Sequence, residues 1–165
     1  MKALVKISMV SLLIFSTLYF TSCNHQRRIA GNYTYKTECM GIELDGSQTL
    51  KAWGNGRNYL DAVEQAKKVA VNDVLFKGIL EGKQECEGKP VLFEVNARDN
   101  HADYFNKFFA DGGEYKNFVN LKDERIQHKV TREEKIARNS VTHALIVRVL
   151  RPQLIAKMKT DGIIK

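Results

Sequence analysis

The chain has 165 residues, 44% of them hydrophobic and 27% charged. That balance excludes wholesale disorder and a collagen-like repeat, and the length suits one domain with a single core. The formal charge is +7, but acidic residues are interspersed along the chain, so the excess reads as a solvated surface more than as affinity for anionic lipid or an acidic partner.

Met1-Lys-Ala-Leu-Val-Lys6 is a positive start, and the uncharged apolar stretch from Ile7 to Phe20 follows it. A bilayer-crossing helix needs nearer ~20 apolar residues, so this stretch reads as the hydrophobic region of an export signal. It ends in Phe20-Thr-Ser-Cys23, which resembles the lipobox of bacterial lipoproteins, with Phe20 standing where leucine is usual. The resemblance implies cleavage before Cys23, a diacylglycerol thioether on its sulfur, and a further acyl chain such as palmitate on the new amino terminus. Each buried methylene contributes about 0.8 kcal/mol, so several chains together anchor far more firmly than one. Residues 1–22 are then a lipoprotein signal peptide, and loss of Lys2 and Lys6 leaves a mature chain of charge +5. Asn24-His-Gln-Arg-Arg28 lacks the acidic run that sends some lipoproteins to the cell surface. The expectation is an outer-membrane lipoprotein facing the periplasm, with Arg27 and Arg28 near anionic headgroups.

Residues 23–46 read as the lipidated cysteine and a tether, with Gly31, Gly41, Gly46 and the polar run Asn32-Tyr-Thr-Tyr35. The two remaining cysteines, Cys39 and Cys86, leave two alternatives. In an exported chain they can form a disulfide that closes a long loop, or they can be two separately buried thiols.

Residues 47–165 read as one α+β domain. Leu50 and Ala52 alternate with Lys51 and Trp53, a strand signature that Gly54-Asn-Gly56 breaks as a turn. Asn58 can cap a helix predicted over about 59–79, with Asp61 in its first turn. Ala62, Val63, Ala66, Val69, Ala70 and Val74 give that helix one apolar face, and its alanines suit close packing on a sheet. A polar loop around Cys86 leads to a strand predicted over Val91–Ala97. A short aromatic helix over His101–Ala110 stops at Gly112-Gly113. Arg125–Thr131 reads as a strand, and Val141–Leu150, apolar on both faces, as a central one. Pro152 suits the first turn of a terminal helix carrying Leu154, Ile155 and Met158. The order predicts a small mixed sheet with the long alanine-rich helix and the C-terminal helix packed on one face.

No constellation for catalysis stands out. The glycines at 54 and 56 lack the third glycine of a dinucleotide fingerprint and the Gly-Lys-Ser/Thr of a P-loop. His101 with Asp99 and Asp103 is the nearest approach to a metal cluster, but those positions do not share a helix face. His128 and His143 read as half-buried sheet residues, and the adjacent Glu133-Glu134 would point to opposite faces. No enzyme activity, cofactor or metal is expected. Tyr104, Phe105, Phe108, Phe109, Tyr115 and Phe118 are more aromatics than one short helix buries alone. Most read as core, and Tyr104, Phe108 and Tyr115 as the candidates for a docking patch.

Leu50-Lys-Ala-Trp-Gly-Asn-Gly followed by Ala62-Val-Glu-Gln-Ala66-Lys-Lys-Val-Ala70 is similar to LPP20-like and flagellar-assembly-type lipoprotein domains. Over about residues 48–97 the likeness implies a glycine-ended strand leading to an alanine-rich helix, in a non-enzymatic envelope protein attached to a larger machine. The mature chain, with Phe108-Phe-Ala-Asp-Gly-Gly-Glu-Tyr115, also resembles small lipoproteins of the Bacteroidota, among them that of their type VI secretion membrane complex. With the lipobox, the compact domain and the lack of a site, the expectation is a lipid-anchored periplasmic scaffold of a multiprotein envelope complex such as a secretion system, with envelope protein partners and no nucleic acid. The alternative is a small-ligand or peptidoglycan-binding module using the aromatic segment.

Overall fold

The computed structural model describes residues 35–122 and 141–164. Its first strand, β1 (Glu38–Ile42), lies in the segment expected to be tether. It forms an antiparallel hairpin with β2 (Gln48–Gly56), and the register shifts between Cys39 and Gly41. That shift masks the alternation by which the strand could have been read.

Next, α1 (Tyr59–Asn72) is capped by the Asn58 side chain, which accepts from the Asp61 N–H at 2.9 Å. The helix widens into a π turn over Asp73–Lys77, and Gly78, at φ +76°, ends it. The two-residue β3 (Glu81–Gly82) follows. Further on come α2 (Ala97–Asn100), α3 (Ala102–Phe108) and a 3-10 turn over Glu114–Phe118. The chain ends with β4 (Val119–Leu121), β5 (Val141–Val149) and α4 (Arg151–Thr160).

The sheet order is β3-β1-β2-β5-β4, with β1 and β3 parallel and the other pairs antiparallel. The fold is α+β with a mixed sheet. Leu50 and Ala52 of β2, and Leu145, Val147 and Val149 of β5, share one core with Ala66, Ala70 and Val71 of α1 and Leu154 and Met158 of α4. Lys51, Trp53 and Ile146 alternate onto the opposite face and are half-buried, while Ala144 is exposed there. The apolar residues on both sides of β5 therefore mark an interior strand whose two faces are covered unequally.

Gly54 and Gly56 do not break the strand. They pair with His143 and Val141, and they bring β2 against the backbone of α1. A Cβ at Gly54 would lie 1.9 Å from the Ala62 carbonyl oxygen and 2.5 Å from the Ala66 nitrogen. With Ala62 and Ala66 fully buried, helix and strand meet through their main chains.

The strand expected over Val91–Ala97 is absent. The N–H groups of Val91 and Leu92 donate to the Val74 and Leu75 carbonyls at 3.0 and 2.9 Å. Carbonyls at a helix end lack partners within the helix, and this segment supplies them instead of joining the sheet. Val91 and Leu92 are buried, whereas Phe93 and Val95 are 71% and 80% exposed. The strand expected over Arg125–Thr131 lies outside the described residues.

Candidate functional site

Cys23 lies outside the described residues, as do His25, His128, Glu133 and Glu134. Cys39 and Cys86 are joined as a disulfide, with their Cα atoms 5.9 Å apart. It ties β1 to the loop after β3. Two further contacts hold that loop: the Gln48 amide donates to the Glu87 carbonyl at 3.5 Å, and the Arg151 guanidinium to the Lys89 carbonyl at 3.0 Å.

The aromatic segment does not form a docking patch. Phe105, Phe108 and Tyr115 are buried, which corrects the expectation for Phe108 and Tyr115. Phe108 packs against the rings of Phe109 at 5.0 Å and Phe118 at 5.9 Å. Tyr115 stacks on Phe109 and donates its hydroxyl to Glu64 Oε2 at 2.8 Å. Tyr104 is half-buried and donates to Asp161 at the end of α4. Helix α3, the Phe109 that ends it and the 3-10 turn thus pool their rings into one packed cluster. Of the three residues expected to dock a partner or ligand, Tyr104 alone is half-buried and not buried.

The Glu64 contact has a pH consequence. Burial alone pushes the Glu64 carboxyl up, but hydrogen bonds from Tyr115, Lys67 and Lys116 outweigh it and hold the group down at about 2, against an ordinary 4.5. A carboxyl lowered by folding stabilises the fold above its unfolded value, and that contribution disappears as pH falls through the folded value. Melting temperature should therefore fall between about pH 5 and pH 2. In Glu64→Gln, thermal scans across that window should show a shallower fall; an unchanged slope would assign the acid sensitivity to other carboxylates.

A different group of side chains forms a depression on the sheet face opposite the helices. Trp53 of β2 is half-buried there, and Tyr35, just before β1, stacks on it with ring centroids 4.6 Å apart and planes inclined by 26°. Lys51 Nζ lies 5.2 Å from the Trp53 ring centroid and 3.4 Å from Glu38 Oε1. At the rim Lys36 Nζ and Glu81 Oε1 are 2.5 Å apart. Tyr35, Lys36, Glu38, Trp53, Glu81 and Gly82 line a space of about 340 Å³, within the range of small-ligand clefts.

Compared with family models, curated proteins and solved structures, this chain matches none.

The rest of that sheet face is tied by polar contacts around the β1–β2 turn. Ser47 and then Arg148 hold the Asp45 carboxyl well below its usual range, and Lys122 and then Thr49 lower Glu43. Arg148 donates to Ser47 Oγ and Asp45 Oδ2, both at 2.6 Å.

Among the described residues no three His, Cys, Asp or Glu side chains converge as a metal site. His101 approaches Glu94 at 4.0 Å, and His143 meets the Tyr59 ring edge-on at 5.0 Å. Sequence reasoning placed Trp53 opposite Leu50 and Ala52, but it missed its neighbours. Tyr35, Lys36 and Glu38 sit in the expected tether, and Glu81 lies beyond the long helix.

Proposed function

We propose that this chain is a lipid-anchored, periplasm-facing component of a multiprotein cell-envelope complex, without catalytic activity. The observation that carries the reading is Phe20-Thr-Ser-Cys23 closing a short uncharged apolar stretch behind Lys2 and Lys6. Residues 24–34 between Cys23 and Tyr35 can reach no further than roughly 40 Å, so the domain would stay beside the bilayer. The Cys39–Cys86 disulfide supports an oxidising compartment. Charge supports the same arrangement. The described residues hold 16 Lys and Arg against 15 Asp and Glu, whereas the first 34 residues carry Lys2, Lys6, Arg27 and Arg28 and no acid. After loss of Lys2 and Lys6, Arg27 and Arg28 supply two of the mature chain's +5 beside the membrane, and the described residues are nearly neutral, which disfavours a nucleic-acid partner. The likeness of residues 48–97 to assembly-type lipoprotein domains points to a larger apparatus, such as a secretion complex, as the partner.

Cells fed an alkyne-tagged fatty acid should label the native protein and leave Cys23→Ala unlabelled. Equal labelling would reject the anchor. Mild detergent extraction of the native form should co-purify defined envelope proteins; recovery of the chain alone in every detergent would reject the scaffold role.

A further inference from the structure

We propose that the depression formed by Tyr35 and Trp53 binds an uncharged, hydroxyl-rich sugar chain. The site differs from the aromatic segment that sequence pointed to, and it depends neither on the lipid anchor nor on the envelope partners.

Three features select this ligand class. The first is the flat apolar surface. Tyr35 is 48% exposed and rests on the half-buried Trp53, which lies in the middle of a paired strand. The exposed part of the Tyr35 ring, backed by Trp53, can meet the C–H face of a pyranose. A ring held in place from below loses little freedom on binding.

The second is the charge pattern. Lys36 and Lys51 are matched by Glu81 and Glu38. A phosphate or an acidic peptide would meet two carboxylates, and a cationic ligand two ammonium groups. A neutral ligand that both donates and accepts meets neither penalty. Its hydroxyls can donate to Glu38 and Glu81 and accept from Lys36, all of which line the space. Exposed ion pairs contribute little to stability, so redirecting these side chains costs little.

The third is shape. About 340 Å³ is at the small end of ligand clefts, and the space is bounded by β1, β2 and β3 on the surface of the sheet, without a lid among the described residues. The space opens to solvent, so a ligand longer than one ring can extend beyond it.

Trp53 is the chain's single tryptophan, so its fluorescence reports on this site alone. The disulfide-intact protein, from Cys23 onward and unlipidated, would be titrated with chitotetraose, cellotetraose and sodium polyphosphate. A saturable change in Trp53 emission with a tetrasaccharide, half-complete in the millimolar range or below, is the expected result. Tyr35→Ala should weaken it by about tenfold or more through loss of the stacking platform, and Glu81→Gln by a few-fold. Both positions are exposed, and unchanged circular dichroism would show that the variants fold. Preference for chitotetraose would assign acetamido sugars of the cell-wall type, and preference for cellotetraose plain glucans; either supports the site. No response to either sugar at tens of millimolar, an undiminished response in Tyr35→Ala, or a polyphosphate response as strong as the sugar's would each overturn it.

Discussion

Gly54→Ala is expected to cost about 3 kcal/mol or more, or to prevent folding outright. Overpacking a core usually costs about 1–3 kcal/mol because side chains can shift. Here the added carbon would meet main-chain atoms, Ala62 O at 1.9 Å and Ala66 N at 2.5 Å. Neither can move unless α1 lifts away from β2, and lifting would open the contacts of Ala66, Ala70 and Val71 with the sheet. A glycine inside a strand weakens it in its own right, so its presence here reflects the closeness of the helix. Gly88→Ala is the control. Its nearest contacts would be ordinary, at 3.6 Å, and a change within about 0.5 kcal/mol is expected. Urea unfolding of the two variants would test the pair. If Gly54→Ala unfolds at the native midpoint, helix and strand do not touch through their backbones.

Loss of the Cys39–Cys86 disulfide should have the next largest effect. The two cysteines are 47 positions apart, and closing a loop of that length restricts the unfolded chain by about 4 kcal/mol in the entropic account, with measured values more often about 2–4. Reductant should therefore lower the urea midpoint of the native protein to near that of a Cys39→Ser, Cys86→Ser double variant and leave the double variant unchanged. Coincident curves for the native protein with and without reductant would show that no bond forms. Both cysteines are buried, so reduction should be slow until the protein is partly unfolded. The loop around Glu85–Lys89 should become sensitive to proteolysis first, because reduction releases its covalent tie to β1 and leaves weaker contacts such as those of Gln48 and Arg151 with its carbonyls.

These two expectations bear on function through the same element. β1 carries Cys39 on its buried side and Glu38 on the other, and its approach brings in Tyr35 and Lys36. Whatever loosens β1 should also disturb the Tyr35–Trp53 depression. The double cysteine variant should accordingly show an altered Trp53 emission even without ligand, whereas Glu64→Gln, on the far side of the sheet, should not.

Local patterns settled much of this fold in advance. Leu50 and Ala52 alternating with Lys51 and Trp53 gave both a strand and its two faces. Asn58, Asp61 and the alanines at 62, 66 and 70 specified the start of a helix and the side it buries. Pro152 with Leu154 and Met158 did the same at the end of the chain. In each case the deciding interactions lie within a few residues: a cap, a side-chain period, a missing N–H.

Tertiary structure decided the rest, because the deciding partners are distant in sequence. Val91–Ala97 has the alternation of a strand, but the carbonyls that claim its N–H groups belong to Val74 and Leu75, at the end of a helix. β1 was hidden by its irregular register and by glycine, and it is held by pairing with β2 and by a sulfur at position 86. Tyr115 and Phe108 could have been surface or core by composition alone; burial followed from the rings and from Glu64, which other segments bring to them. The Tyr35–Trp53 depression needs three strands side by side before its residues meet. Sequence determines what a segment can become, and the partner across the fold selects among those outcomes, since a hydrogen-bonding group or an apolar face gains most where the rest of the chain can complete it.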